Sequence, residues 1–294
     1  MIPEFSVIIP FYNGADTLAA AIKSVFNQNF PVEIIVVDDG SEVSPLAALS
    51  ESGGEVKLAR IPHSGKAAAV NAGAKIAQGE FVCVLDQDDL MLSGRLSAQA
   101  AALKAAPSAD GVYSDYERRQ NGKLIDVFKS RQADPEEMLH ALASDRRLFS
   151  IQTLTLRKTV FSRLGGFCAD PRLNGLDDAE FFLRLLCSRK NLKYVPGVFG
   201  CWVSHGGNYS KSRAFQDARL AFLERAESLS GEFPVLKKEI PFLAHHCFYM
   251  RGLFFLENGE PRRAIPEFAK AAMQRPFSAN TVYLLVKSFF KLIA

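Results

Sequence analysis

The sequence has no apolar run long enough to cross a bilayer. A spanning helix needs about 20 consecutive apolar residues, and the longest candidates, Phe-rich stretches near residue 290, are broken by Lys287 and Lys291. The opening residues, MIPEFSVIIP, lack the basic segment and apolar core of a secretion signal. Charge of one sign is also scarce: 35 basic and 32 acidic residues leave +3. That balance argues against a nucleic-acid partner and suits local binding of a small anion. The five cysteines, Cys83, Cys168, Cys187, Cys201 and Cys247, are scattered with no CxxC pair. This pattern disfavours a zinc motif or disulfide framework and fits reduced thiols in a cytoplasmic protein. The loop after the first apolar run reads FYNGAD, with no GxGxxG, which argues against a dinucleotide-dependent oxidoreductase. It also lacks the Gly-rich, Arg- and Lys-bearing loop expected of a nucleotidyltransferase.

What is present is an ordinary globular composition, 48% hydrophobic and 23% charged over 294 residues, enough for one or two cores. The first hundred residues alternate strand and helix signals. Unbroken apolar runs at 6–10, 33–37 and 81–85, with a weaker one at 56–60, read as strands, because a strand buried on both faces shows no polar alternation. Helical spacing of Leu18, Ala21, Ile22, Val25 and Phe26 predicts a helix, as do the stretches 44–50 and 67–77, the latter ended by Gly79. This order predicts an α/β fold with a Rossmann-like, mostly parallel sheet flanked by helices. Ligands of such sheets bind beyond the carboxyl ends of the strands. Farther on, a helix at 95–105 precedes a hairpin around Asn121-Gly122. Asp134, Pro135 and Glu137 start a capped helix. A helix at 176–188 and a strand at 192–202 follow. After Ser210 only helical signals remain, so a C-terminal helical extension is expected from a boundary near Lys211. Within it, residues 254–277 read as a helical hairpin around Asn258-Gly259.

Two acidic clusters carry the chemistry. Asp86-Gln87-Asp88-Asp89 places three carboxylates within four residues after a buried strand. Such a cluster needs a compensating cation. Hard divalent ions prefer oxygen ligands and bridge to substrate phosphates. A plain helix-capping role is the alternative. Asp38-Asp39-Gly40-Ser41 ends an earlier strand, where it either faces a ligand or makes a simple turn.

Taken in order, SVIIPFYNGADTL, EIIVVDDGS, GKAAAVNAGAKIAQGEFVCVLDQDD, GGFCADPRLNGLDDAEFFLRL and CWVSHGGNYS resemble glycosyltransferase family 2, the inverting enzymes with the GT-A fold. The likeness spans about residues 5 to 210. It implies a GT-A domain at 1–210, with a nucleotide-sugar-binding half at 1–92 and an acceptor-side half at 93–210, followed by helices at 211–294. It implies a metal-dependent transfer of a sugar from a nucleoside-diphosphate sugar, UDP-linked by default, to a saccharide or glycolipid hydroxyl in surface polysaccharide or glycolipid synthesis. Pro10, Tyr12 and Asp39 would hold the nucleoside. Asp86 would face the ribose or the metal-bound diphosphate, with Gln87 and Asn71 on the donor side and Lys66 either reaching a phosphate or solvated. Asp88 would ligate Mn²⁺ or Mg²⁺, with His205 as a second candidate ligand. Asp178 would be the general base, a role for which its carboxylate must be ionised near the acceptor hydroxyl. Capping of the following helix is the other reading of Asp177 and Asp178.

Two positions depart from the family pattern: Val70 stands where an arginine is common, and Val203 lies in a segment where a Tyr-Arg pair is common. The departures leave a second reading, a catalytically silent module that recruits a partner through its helical tail. The apolar stretch 282–293, with Lys287 and Lys291, either packs on the chain or a second copy, or lies on the inner face of the cell membrane.

Overall fold

The structure is a computed structural model describing residues 4–144, 146, 148–276 except 206–211, and 278–293. The boundary expected near Lys211 lies outside the described residues. The first half alternates strictly: β1 (Phe5–Phe11), α1 (Ala15–Phe26), β2 (Val32–Asp39), α2 (Leu46–Ser52), β3 (Lys57–Ile61), α3 (Lys66–Ile76) and β4 (Phe81–Val84). β1 lies between β2 and β4, and β3 pairs with β2, all parallel. Both faces of this sheet are covered. Phe5, Val7, Ile9 and Phe11 of β1 join Leu18, Ile22 and Val25 of α1 in one core. Ile8 of β1, with Ile35 and Val37 of β2, faces Ala69, Val70 and Ala74 of α3 in another. Continuous apolar runs are the sequence signature of such two-sided burial.

The second half is mixed rather than parallel. After β5 (Leu90–Met91) and α4 (Arg95–Ala105) come β6 (Gly111–Gln120), β7 (Lys123–Phe128), α5 (Pro135–Ala143), β8 (Thr155–Arg157), α6 (Lys158–Arg163), α7 (Asp177–Cys187) and β9 (Leu192–Ser204). The sheet order is β3-β2-β1-β4-β8-β6-β9-β5, with β7 on β6. β8 joins the halves, antiparallel to both β4 and β6. The β6–β7 hairpin turns at Asn121 (φ 50°) and Gly122 (φ 75°), the two positive-φ positions that a two-residue turn of this hand requires. Asp134 caps α5 by accepting from the Glu137 amide at 2.9 Å.

Gly79 does not end α3 as expected. The helix stops at Ala77 in an extended conformation (ψ 137°). Gly79 instead permits a close approach to β1: a Cβ there would lie 2.7 Å from Phe5 C and Ser6 N.

The extension comprises α8 (Arg213–Glu232), α9 (Ile240–Glu257), α10 (Pro261–Gln274) and α11 (Ala279–Ile293). Phe215, Phe222 and Leu229 of α8 and Leu243 and Cys247 of α9 share the core of α3 and α7. Glu180 of α7, fully buried, ties the two regions by accepting from Arg184 and from Arg225 of α8 at 3.1 Å. Phe255, Leu256, Ala264 and Phe268 form a satellite core between α9 and α10. Among the described residues no helix is long and apolar enough to cross a membrane.

Candidate active site

The carboxyl ends of β1, β2 and β4 release three loops into one cleft, and side chains lock these loops together. Gln87 accepts from the Tyr12 amide at 2.8 Å and donates to the Tyr12 carbonyl at 3.2 Å. Asn13, at φ 50°, accepts from the Glu42 amide at 2.9 Å. Asp39 is buried at the end of β2 and accepts from the Ser64 and Gly65 amides, each at 2.8 Å, and pairs with His63 Nδ1 at 2.9 Å. Its carboxylate therefore shapes the turn that starts α3. That turn sets His63 in a stack on Tyr12, with ring centroids 4.2 Å apart. Both rings are exposed, leaving a flat aromatic surface beside Pro10, which is itself buried in β1.

Lys66 opens α3 and reaches the end of β4. Its Nζ lies 2.6 Å from Asp86 Oδ1 and donates to Oδ2 at 2.8 Å. Burial opposes the lysine's charge, but Asp86, Asp177 and Asp178 outweigh it and hold the pKa above the ordinary value. Asp177 Oδ2 is a buried oxygen without a hydrogen-bond partner among the described residues, whereas Asp86 Oδ1, also buried, has the Lys66 ion pair. Asp177 is only 3% exposed. Burial pushes its pKa up to about 6; Lys66 works against this, and the charges of Asp178 and Asp86 add to it. Asp178, next along α7, is half-buried and accepts from the Ala179 amide at 2.7 Å. Neither acid is the helix cap; that position is Leu176, which makes no side-chain cap bond.

The two expected metal ligands meet. Asp88 Oδ2 lies 2.9 Å from His205 Nε2, and both side chains are partly exposed to the cleft. Asp89 behaves differently. It is buried and accepts from the Val203 amide at 2.9 Å and from Gln152 at 2.5 Å. Burial, then Asp86 and Asp88, raise its pKa well above the carboxylate range. Asp89 thus anchors the loop to β9 while Asp86 and Asp88 face the cleft. Among the described residues, no three His, Cys, Asp or Glu side chains converge as a metal site by themselves.

Asn71 is engaged by the backbone of Phe167. Its amide donates to the Phe167 carbonyl and accepts from the Phe167 amide, both at 2.8 Å. It braces the Gly165-Gly166 turn that precedes α7, and so sets where Asp177 and Asp178 stand. Val70 is fully buried, and Lys66, one helical turn earlier, brings the cation to this edge. Three residues not singled out from sequence also shape the cleft. They are His63, Gln152 and Arg95, the last fully buried and donating to the carbonyls of Gln152 and Leu154. The pairing of Asp with a following His-Ser-Gly turn is the one signal that could have drawn attention to His63.

A parallel sheet with acidic loops at its carboxyl edge, joined to an acid-bearing helix from a mixed second half, is the arrangement expected of a GT-A transferase. The sequence matches Glycosyl transferase family 2 over residues 6–165. It is 32% identical over 243 residues to YwdF of Bacillus subtilis, an uncharacterized glycosyltransferase, covering 78% of this chain and 84% of that one. It is 31% identical over 130 residues to WfgD of Escherichia coli, a UDP-Glc:alpha-D-GlcNAc-diphosphoundecaprenol beta-1,3-glucosyltransferase, covering 43% of this chain. The chain's matches span 51% of WfgD and 22% of a longer relative from Rickettsia conorii. In fold it is similar to Staphylococcus aureus TarS 1–349 in complex with UDP, with TM-score 0.66 at 18% identity, covering 98% of this chain and 88% of that one. The chain belongs to glycosyltransferase family 2. It is a transferase enzyme with the GT-A fold.

Proposed function

We propose that the enzyme transfers a sugar, with inversion, from a UDP-sugar to a hydroxyl of a saccharide or glycolipid acceptor in surface polysaccharide or glycolipid synthesis. The observation that carries this reading is the meeting of Asp86, Asp177 and Asp178 around Lys66, beside the Asp88–His205 pair. The exposed Tyr12–His63 stack offers a face for a nucleobase, and TarS and WfgD supply the precedent for UDP.

An oxygen and an imidazole ligand 2.9 Å apart suit Mn²⁺ or Mg²⁺, and the remaining positions would be filled by diphosphate and water. Asp88 and His205 would hold the ion. An ion held there would supply charge neutralisation for the leaving diphosphate. Lys66 adds a fixed positive charge at the same edge. Asp178 accepts the proton of the acceptor hydroxyl. The oxygen forms its bond to the anomeric carbon as the bond from that carbon to the diphosphate oxygen breaks, its electron pair leaving with the diphosphate. Asp177 precedes this base on α7, and below about pH 6 its protonation removes one negative charge from beside Asp178.

The test is Asp178→Asn. Transfer should fall by about 10³-fold or more, the usual scale for loss of a general base, while UDP-sugar affinity stays within about threefold. Undiminished transfer would remove Asp178 from the role.

A further inference from the structure

α11 faces the wrong way for a helix that only packs. The side chains it turns inward include Thr281 and Ser288, both fully buried. Thr281 Oγ1 bonds to His245 Nε2 of α9 at 3.0 Å, and Ser288 bonds back to the Leu284 carbonyl at 2.7 Å. Leu284 and Leu285 add a partly buried apolar contact to the satellite core. The larger apolar side chains point outward: Tyr283 is 62% exposed, Phe290 70% and Phe289 47%, with Val282 and Val286 also exposed. At 3.6 residues per turn these five side chains form one continuous stripe about 120° wide.

Charge identifies the occupant. α11 contains no acidic residue, and Lys287 and Lys291 lie along one edge of the stripe, next to Tyr283 and Phe290. From Asn258 to Ala294 there are six basic residues and two acids. Both acids are already paired, Glu267 with Arg251 and Glu260 with Arg213 and Arg263. A second copy of this helix would bring lysine toward lysine with no acid to answer it. An anionic lipid surface accepts the apolar stripe and neutralises the lysines together.

We propose that α11 is a membrane-surface helix that lies on anionic bilayers through Tyr283, Val286, Phe289 and Phe290, with Lys287 and Lys291 at the headgroups. It lies on the bilayer rather than crossing it, because no described helix is long and apolar enough to span. The inference is independent of the reaction assigned to the cleft.

The test is flotation of the full chain with vesicles of phosphatidylcholine alone or mixed with phosphatidylglycerol, at low and high salt. The chain should float with the anionic vesicles, less so at high salt, and stay behind with the neutral ones. Lys287→Glu with Lys291→Glu should weaken partitioning by at least about fivefold per lysine. Phe289→Ser with Phe290→Ser should abolish it, and because both rings are exposed the melting temperature should not fall. Absence of flotation with anionic vesicles would overturn the proposal, as would flotation unchanged in both variants. A native dimer made monomeric by Phe289→Ser with Phe290→Ser would also overturn it, assigning the face to a second copy.

Discussion

Replacing Asp177 by asparagine should make the protein more stable at neutral pH and leave it unchanged in acid. The carboxyl is 3% exposed, one of its oxygens has no hydrogen-bond partner among the described residues, and burial moves its pKa from 3.8 to about 6. The folded chain therefore holds this proton more tightly than the unfolded chain. The corresponding stabilisation is fully present below pH 3.8 and is lost as pH rises through about 6. At 1.36 kcal/mol per pH unit, the gap amounts to about 3 kcal/mol of cost above pH 7, when the buried group is ionised. Asparagine matches the neutral acid in shape and carries no charge at any pH. Its advantage over the native chain should therefore be near zero at about pH 3, about 1 kcal/mol at pH 4.5 and about 3 kcal/mol at pH 8. For a chain of this size that is roughly 5 °C in melting temperature. Paired thermal or urea unfolding of native and variant across this range measures the difference directly, since every other titrating group is common to both. A gap that does not change with pH, or a native chain that gains on the variant as pH rises, would refute the burial argument.

Two other substitutions probe the framework around that group. Gly166→Ala places a Cβ 2.2 Å from Asn71 Oδ1 at a φ of 67°. It should cost about 2–3 kcal/mol and lower both stability and transfer, because the Asn71–Phe167 brace sets the position of α7; an unchanged melting temperature would contradict this. Tyr12→Ala should weaken UDP binding by about tenfold, the scale of one lost stacking contact, with little effect on stability because Tyr12 is 44% exposed. Calorimetric titration and a melting curve separate the two effects.

The parallel half of the fold is legible in the sequence because its strands are buried on both faces. The runs of Ser6 to Pro10 and Glu33 to Val37 have no competing helical period, and each flanking helix shows its apolar stripe. Asn121-Gly122 is equally legible, since few other pairs adopt two positive φ values. The joints between the halves are not. β5 is two residues long and β8 three, too short for any periodicity to register. Their pairing is decided by neighbours far away in sequence, Cys201 and Gly200 for β5 and Phe81 to Cys83 of β4 for β8. Gly79 illustrates a related ambiguity: a glycine after a helix reads as a stop, whereas here contact with Phe5 and Ser6 decides the residue.

Within the cleft, sequence order locates the acids but not their division of labour. Asp86, Asp88 and Asp89 are near neighbours of one chemical type. Only the tertiary partners separate them: Lys66 for Asp86, His205 for Asp88, and Gln152 with the Val203 amide for Asp89. Asp177 and Asp178 divide in the same way, one turned into the protein and one toward the cleft. The turn of the helix separates them, and no local pattern announces it. His63 is invisible for the converse reason, because its stack on Tyr12 joins loops 51 positions apart in the chain.

The most direct test of the donor assignment is calorimetric titration of UDP into the native protein and into Asp88→Ala, each with and without Mn²⁺. The account predicts binding that strengthens with the ion in the native protein and loses that dependence in the variant, with the melting temperature of the free protein unchanged. UDP binding equally tight with and without Mn²⁺, or equally tight in Asp88→Ala with the ion present, would contradict it.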